Sequence, residues 1–285
     1  MQLYDEELLK KIQKVDLEAA KFFVSFCKEH NILCYFCGGG CIGAIRHNGF
    51  IPWDDDLDFF IPRDDYERLK HVWKDTDRYA LLYPTEQYND HCMFITLRDK
   101  KTTMIKPFQR DIDTVHGISI DIFPLDGYPN SKINRFLQIF WGLTYQLFCA
   151  QVVPENHGKL TTVLGKTALG VLRSNKLRYR IWKKAEREMS KYRIDDCDAI
   201  TEICAGPKYM KNRYPKEFFK ESLFVPFEDT RMPIPIGYDG YLKMAFGEYM
   251  SYPPEEEQMP SHDAVFIDPD ETYKSYKGKY YCTKK

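Results

Sequence analysis

The chain has 285 residues, 44% of them hydrophobic, enough for a sizeable core in one large domain or two small ones. Its 41 Lys and Arg against 42 Asp and Glu leave a net charge of −1, so no global basic field points to a nucleic-acid partner.

Apolar residues Leu8, Leu9, Ile12, Val15, Leu17, Ala20, Phe22, Phe23 and Phe26 recur at helical spacing and predict an amphipathic helix over 5–30, ended at Asn31. Residues 32–37 read as a short strand, 38–40 as a glycine loop, 41–47 as a short helix and Asn48-Gly49 as a turn. A second strand is expected at 57–61, then a helix from Pro62 to about Trp73 with Asp64 or Asp65 as its cap. Candidate strands follow at 79–83, 92–98 and 102–105, and a stronger one at 116–123 is closed by Pro124-Leu125-Asp126-Gly127. Two long helical segments, 131–153 and 160–191, give way after Asp195 to shorter elements rich in proline. Residues 238–246 read as a last helix, and the tail from Asp263 is charged with a loose end. The pattern predicts an α+β fold: a mixed β-sheet core flanked by helices over 1–130, a helical insertion over 131–195, and a C-terminal portion over 196–285 that packs back on the core.

Nine cysteines at scattered spacings do not form a disulfide framework, and the acidic start is no secretory signal, so a reducing cytoplasm is the expected setting. Cys34, Cys37 and Cys41 have zinc-like spacing but no nearby fourth ligand, and read as small residues lining a strand and loop. The apolar stretch 136–153 carries three Gln, one Thr and one Tyr and is marginal for a membrane span. It reads as a buried core helix; a helix lying on a membrane surface is the alternative, kept open by the apolar and basic stretch 159–173.

The chemistry concentrates between Gly38 and Asp58. Gly38, Gly39 and Gly40 let a backbone approach a phosphate closely, and the following helix N-terminus favours an anion. Asp54, Asp55, Asp56 and Asp58 then crowd together, a repulsion that a divalent cation relieves. In an extended segment Asp56 and Asp58 project to one side, and Leu57, Phe59 and Ile61 to the other. A solvated acidic turn fits poorly, because Trp53, Leu57, Phe59 and Phe60 interleave the acids. Asp121 stands opposite Ile118, Ile120 and Ile122, and completes a three-carboxylate site for Mg²⁺, or Mn²⁺ in its place. Metal-assisted chemistry on a phosphate ester follows. Arg46 reads equally as a phosphate contact or a packing arginine; Arg98, Lys100, Lys101 and Lys106 as phosphate contacts or a solvated edge. Trp53 is the aromatic nearest the acids; His47 and His262 are weaker candidates, and Glu228 has no assigned role.

A Gly-Gly pair, a short helix, Asp-x-Asp and a third aspartate on a later strand resemble the nucleotidyltransferase superfold. More narrowly, residues 43–58, ending Ile51-Pro52-Trp53-Asp54-Asp55-Asp56-Leu57-Asp58, resemble the signature of the LicD family. Residues 120–126 and 233–254 resemble further motifs of that family, and the likeness covers roughly 30–262. The resemblance implies a nucleotidyltransferase-like core and a phosphocholine transferase related to fukutin-type phosphotransferases. It implies CDP-choline as donor and, as acceptor, a sugar hydroxyl of a cell-surface or lipid-linked glycan precursor such as teichoic acid, with CMP released. Asp56, Asp58 and Asp121 would be catalytic and hold Mg²⁺, with Gly38, Gly39, Gly40, Arg46, Trp53 and Arg98 binding substrate. The expected location is cytoplasmic, at the inner face of the plasma membrane, through 136–173. Nucleotidyl transfer, transfer of ribitol or glycerol phosphate, and a non-catalytic glycan-assembly role are the alternatives.

Overall fold

The computed structural model describes residues 5–151, 167, 169–260 and 262–283. Helix α1 (Glu6–Glu29) starts where the Asp5 carboxylate accepts a hydrogen bond from the Leu8 amide at 2.7 Å. Its apolar stripe buries Ile12, Ala19, Ala20, Phe23 and Cys27. The chain continues through β1 (Tyr35–Cys37), α2 (Gly38–Arg46), β2 (Asp58–Pro62), α3 (Arg63–Val72), β3 (Tyr79–Leu82), β4 (Ile95–Asp99), β5 (Thr103–Ile105) and β6 (Ser119–Tyr128). After them come α4 (Lys132–Ala150), α5 (Asn175–Ser190), β7 (Ala199–Thr201), β8 (Tyr214–Pro215), the hairpin β9 (Ser222–Phe227) and β10 (Thr230–Pro235), α6 (Tyr238–Phe246) and β11 (Phe266–Asp268).

The central sheet is mixed, and the fold is α+β. Five strands lie in the order β1-β2-β6-β4-β3, with β7 on β6 and β8 on β7. Only β2 and β6 run parallel in it; the other pairs are antiparallel. Strand β6 is long because two partners share one of its edges: β4 pairs with its first half and β7 with its last three residues. Pro124 falls between those two ladders, where no strand on that edge requires its missing N–H. The strand therefore runs through the segment that the sequence suggested would close it.

One face of the sheet packs on α1, where the Phe23 and Phe36 rings lie 5.0 and 4.8 Å from that of Phe59. Full burial of such a ring contributes about 1.5–3 kcal/mol. Phe227, Met232, Ile234, Tyr241 and Leu242 from the C-terminal part join the same core. Helices α4 and α5 form a second core around Tyr145, Phe148, Trp182 and Met189, closed by Ile203 and Met210.

Three further expectations change. The glycines are not a loop but the first turn of α2. Neither Asp64 nor Asp65 caps α3, since Pro62 occupies that place and Asp65 instead accepts from the Leu33 amide at 2.7 Å. The C-terminal tail is anchored: β11 pairs with β5, and Tyr273 and Tyr281 pack on Ile105. Residues 152–153 of the first expected helical segment, 160–166 and 168 of the second, the stretch 154–159 between them and the last two residues of the tail lie outside the described residues.

Candidate active site

The parallel pairing sets Asp58 of β2 directly beside Asp121 of β6. In-register residues of a parallel pair point to the same face, so both carboxylates leave the sheet together. The alternate residues Leu57, Phe59, Ile61, Ile120 and Ile122 are buried. Asp58 Oδ1 is itself buried and has no hydrogen-bond partner. Burial, then the charges of Asp56 and Asp121, push the Asp58 carboxyl well above the ordinary carboxylate range.

Asp54, Asp55 and Asp56 precede β2 as irregular chain, held from α1 by the Gln13 side-chain amide, which donates to the Asp54 carbonyl at 2.9 Å. The Asp54 carboxylate lies against the backbone of Gly39, where an added Cβ would stand 2.1 Å from Oδ2. A side chain at 39 would displace that carboxylate. Burial first, then neighbouring acids, raise Asp54; Asp56 is also raised, by burial first, with His262 opposing. Lys106 places Nζ 3.8 Å from Asp121 Oδ2. Burial works against its charge, but Asp121 first among its neighbours holds the ammonium above the ordinary lysine range.

Of the residues gathered here, Asp16 carried no expectation, while Asp55, His262 and Lys106 were named without the roles that the packing gives them. Asp55, which in an extended segment shares the parity of Leu57 and Phe59 and not that of Asp56 and Asp58, is buried and accepts from His262 through Nδ1 at 3.0 Å. The other ring nitrogen, Nε2, lies 3.5 Å from Asp56 Oδ2. Burial lowers the His262 pKa, yet the Asp55 hydrogen bond and both aspartate charges outweigh it and raise it to about 9. Lys106 had read as a phosphate contact or part of a solvated edge. Asp16 went unnoticed: it sits on the buried stripe of α1, 1% exposed, with neither carboxylate oxygen hydrogen-bonded. Burial first, then Asp56, Asp55, Asp121 and Asp54, drive its pKa well upward. A polar residue on the stripe of Ile12, Ala19, Ala20 and Phe23 was its one signal. His262 was a weaker candidate, and no local pattern linked it to Asp55, which it reaches from across the chain.

The remaining candidates are placed as follows. Gly38 has φ +51° and donates its amide to the Tyr241 hydroxyl at 3.1 Å; no side chain caps the first turn of α2. Arg46 donates through Nη1 to the carbonyls of Tyr249 and Ser251, each at 3.0 Å, and stacks over Tyr252. Trp53 packs at 6.0 Å from that Tyr252 ring. Arg98 is buried in an ion pair with Asp90 and also donates to the Val115 carbonyl and Thr96. Glu228 closes the turn before the acids by accepting from the Phe50 amide at 3.0 Å.

The carboxylates of this set suit a hard divalent cation: ligand atoms of Asp55 and Asp56 lie within 4.8 Å of each other and of His262, whose ring faces both of them, Asp58 and Asp121 pair in register, and Asp58 and Asp16 carry buried oxygens without partners. A cavity of about 510 Å³ opens beside Asp121, Lys106 and His262.

Comparison with known proteins gives this arrangement a family. Residues 31–148 match the family model described as LicD/FKTN/FKRP, nucleotidyltransferase domain. Over 265 residues the chain is 30% identical to the lipopolysaccharide cholinephosphotransferase LicD of Haemophilus influenzae, covering 89% of this chain and 96% of that protein. With the acidic strand pair inside the matched domain and the likeness spanning nearly the whole chain, this protein belongs to the LicD family and is a transferase.

Proposed function

We propose that the protein transfers phosphocholine from CDP-choline to a sugar hydroxyl of a cell-surface glycan precursor, such as a teichoic acid or lipopolysaccharide, and releases CMP. The observation that carries this reading is the in-register Asp58–Asp121 pair with its unpartnered buried oxygen. The near full-length likeness to a cholinephosphotransferase supports the head group. Mg²⁺, with Mn²⁺ as the alternative, would be held by Asp56, Asp58 and Asp121 and would neutralise the charge of the donor pyrophosphate. The amides of Gly39 and Gly40, in the uncapped first turn of α2, receive a donor phosphate. Lys106, beside Asp121, offsets charge at the reacting phosphorus. The acceptor hydroxyl oxygen bonds to the choline-bearing phosphorus, the bond to the bridging oxygen breaks, and CMP leaves with the electron pair. Asp121 takes the hydroxyl proton. Arg46 braces α2 against residues 249–251, and Arg98 braces the β4 wall, so both shape the site through other groups.

Incubating the protein with CDP-choline, Mg²⁺ and a glycan acceptor tests this. Free CMP and a choline-bearing glycan support it; a nucleotidylated acceptor identifies nucleotidyl transfer instead, and turnover only with CDP-ribitol or CDP-glycerol identifies another head group.

We further propose that the protein works at an anionic membrane surface, where a lipid-linked acceptor is held. No helix among the described residues is long and apolar enough to cross a membrane. The outer face of α4, however, leaves Ile133, Phe136 and Phe140 74%, 70% and 51% exposed. Its neighbour α5 carries six basic residues against two acidic ones, and Lys184 stands over Trp141 of α4. An apolar stripe beside a basic helix matches a headgroup region. Sedimentation with anionic vesicles, lost in Phe136→Ser/Phe140→Ser, is the expected result; indifference to such vesicles would remove this part.

A further inference from the structure

The cavity beside Asp121 is lined by two chemically different sets of groups. In the charged set, Lys106 stands 3.8 Å from Asp121, and His262 is held between Asp55 and Asp56. The rest of the wall includes Met93, Phe94 and Phe108. Phe94 packs against Phe123 with ring centroids 4.2 Å apart. Phe123 lies two residues beyond Asp121 on β6, so it shares the face of the carboxylate and sits one strand repeat, about 6.6 Å, along it. Phe108 projects from the turn Pro107–Gln109 and is 47% exposed. The wall is fixed from behind, since Tyr145 of α4 donates to the Met93 carbonyl at 2.6 Å and Asn89 donates to the Cys149 carbonyl at 2.9 Å.

A phosphocholine group has the same division. Its phosphate is anionic and needs cationic neighbours; its trimethylammonium is a bulky cation with no N–H to donate. Aromatic faces and thioethers attract such a cation without competing for hydrogen bonds. They serve a primary ammonium poorly, because its three N–H donors would lose water and find no acceptor.

We propose that this cavity is the choline subsite, with the trimethylammonium against Phe94, Phe108 and Met93 and the phosphate toward Lys106. This rests on the phosphocholine reading above and adds to it the residues that select the head group. A preference for choline over ethanolamine donors follows where the head group meets these aromatic and thioether groups and not Asp263, which also lines the cavity.

The test is calorimetric titration of the full-length protein, with Mg²⁺, by CDP-choline, CDP-ethanolamine and CDP. Wild type, Phe94→Leu and Phe108→Leu are compared; leucine keeps the apolar volume and removes the π face. Wild type is expected to favour CDP-choline, and each variant to lose about three- to thirtyfold in affinity for it while binding CDP as before. Phe108 is half exposed, so its variant keeps the fold, and equal CDP affinity verifies this independently. Unchanged choline preference in both variants would overturn the subsite. Intact donor binding with a raised KM for the glycan would also overturn it, by making the cavity an acceptor site. Failure of wild type to bind CDP-choline at all would instead defeat the phosphocholine reading on which it stands.

Discussion

At the far end of the β2–β6 pair, Asp126 receives Arg63 through two hydrogen bonds of 2.7 Å, both partners buried. At the near end, Asp121 stands in register with Asp58, whose Oδ1 has no partner. The same two strands thus carry a carboxylate matched by a bidentate guanidinium and a pair in which Asp121 has Lys106 at 3.8 Å while Asp58 Oδ1 has no partner. A bidentate guanidinium supplies the far acid with charge and geometry, so that end braces the fold. The near acids are pressed together by packing with one cation, 3.8 Å from Asp121, and no bidentate partner, an arrangement that the proposed metal and donor would complete. Glu202 is a third case. It is buried with hydrogen bonds from the Tyr214 hydroxyl and from Asn212, but these partners are neutral.

Substitutions should separate the three. Asp58→Asn is expected to reduce turnover by roughly a thousandfold or more, because the site loses a carboxylate that faces the reacting charge. Its melting temperature should stay level or rise, since a repulsive charge has gone. Steady-state kinetics beside thermal melting checks both, and near wild-type turnover would remove Asp58 from the chemistry. Asp126→Asn should do the reverse. Leaving Arg63 buried without its partner costs about 3–5 kcal/mol, seen as a lower denaturation midpoint, while the folded fraction still turns over.

Divalent cation sharpens the contrast further. Mg²⁺ at a hundredfold excess over its Kd should add about 2.7 kcal/mol to wild-type stability. The gain should vanish in Asp58→Asn and persist in a protein altered only at Glu202. A wild type that Mg²⁺ leaves unmoved would speak against the cation site.

The smallest expected effect belongs to Glu202. Burial raises its pKa to about 7, against weaker opposition from Tyr214 and Asn212. A raised carboxyl favours the folded state while protonated, so this contribution is complete below the unfolded pKa and is lost as pH rises through about 7. Glu202→Gln keeps an acceptor for Tyr214 and Asn212 and has no charge to bury. It should match wild type near pH 4 and exceed it by up to about 3 kcal/mol at pH 8, read from denaturant midpoints. Equal midpoints across that range would show that Glu202 is not buried as a charge.

Much of this architecture is readable from local pattern. The stripe on α1 and the alternation of Ile118, Ile120 and Ile122 around Asp121 are periodicities that a single segment carries. Residues 238–246, read as a last helix, form α6 with those bounds. The acids were visible because charge interrupts apolar chain: Asp56 and Asp58 sit among Trp53, Leu57, Phe59 and Phe60. Other features had no such mark. Pro124 reads as a strand stop until the neighbouring ladders leave its edge free. Arg46 read equally as a phosphate contact or a packing arginine, and Arg98 as a phosphate contact or part of a solvated edge; only the tertiary structure sets the Tyr249 and Ser251 carbonyls against the first and Asp90 against the second.

By itself, then, the amino-acid order determined which segments bury one face and which carboxylates have no local reason to lie among apolar residues. Those properties arise from spacing along a few turns or a strand repeat. Only the tertiary structure decided what surrounds those carboxylates. Asp16 comes from α1, Lys106 follows β5, and His262 returns from the C-terminal part to reach Asp55. A buried charge is judged by every neighbour within a few ångströms, and here those neighbours are brought together from distant parts of the chain by the packing of a common core.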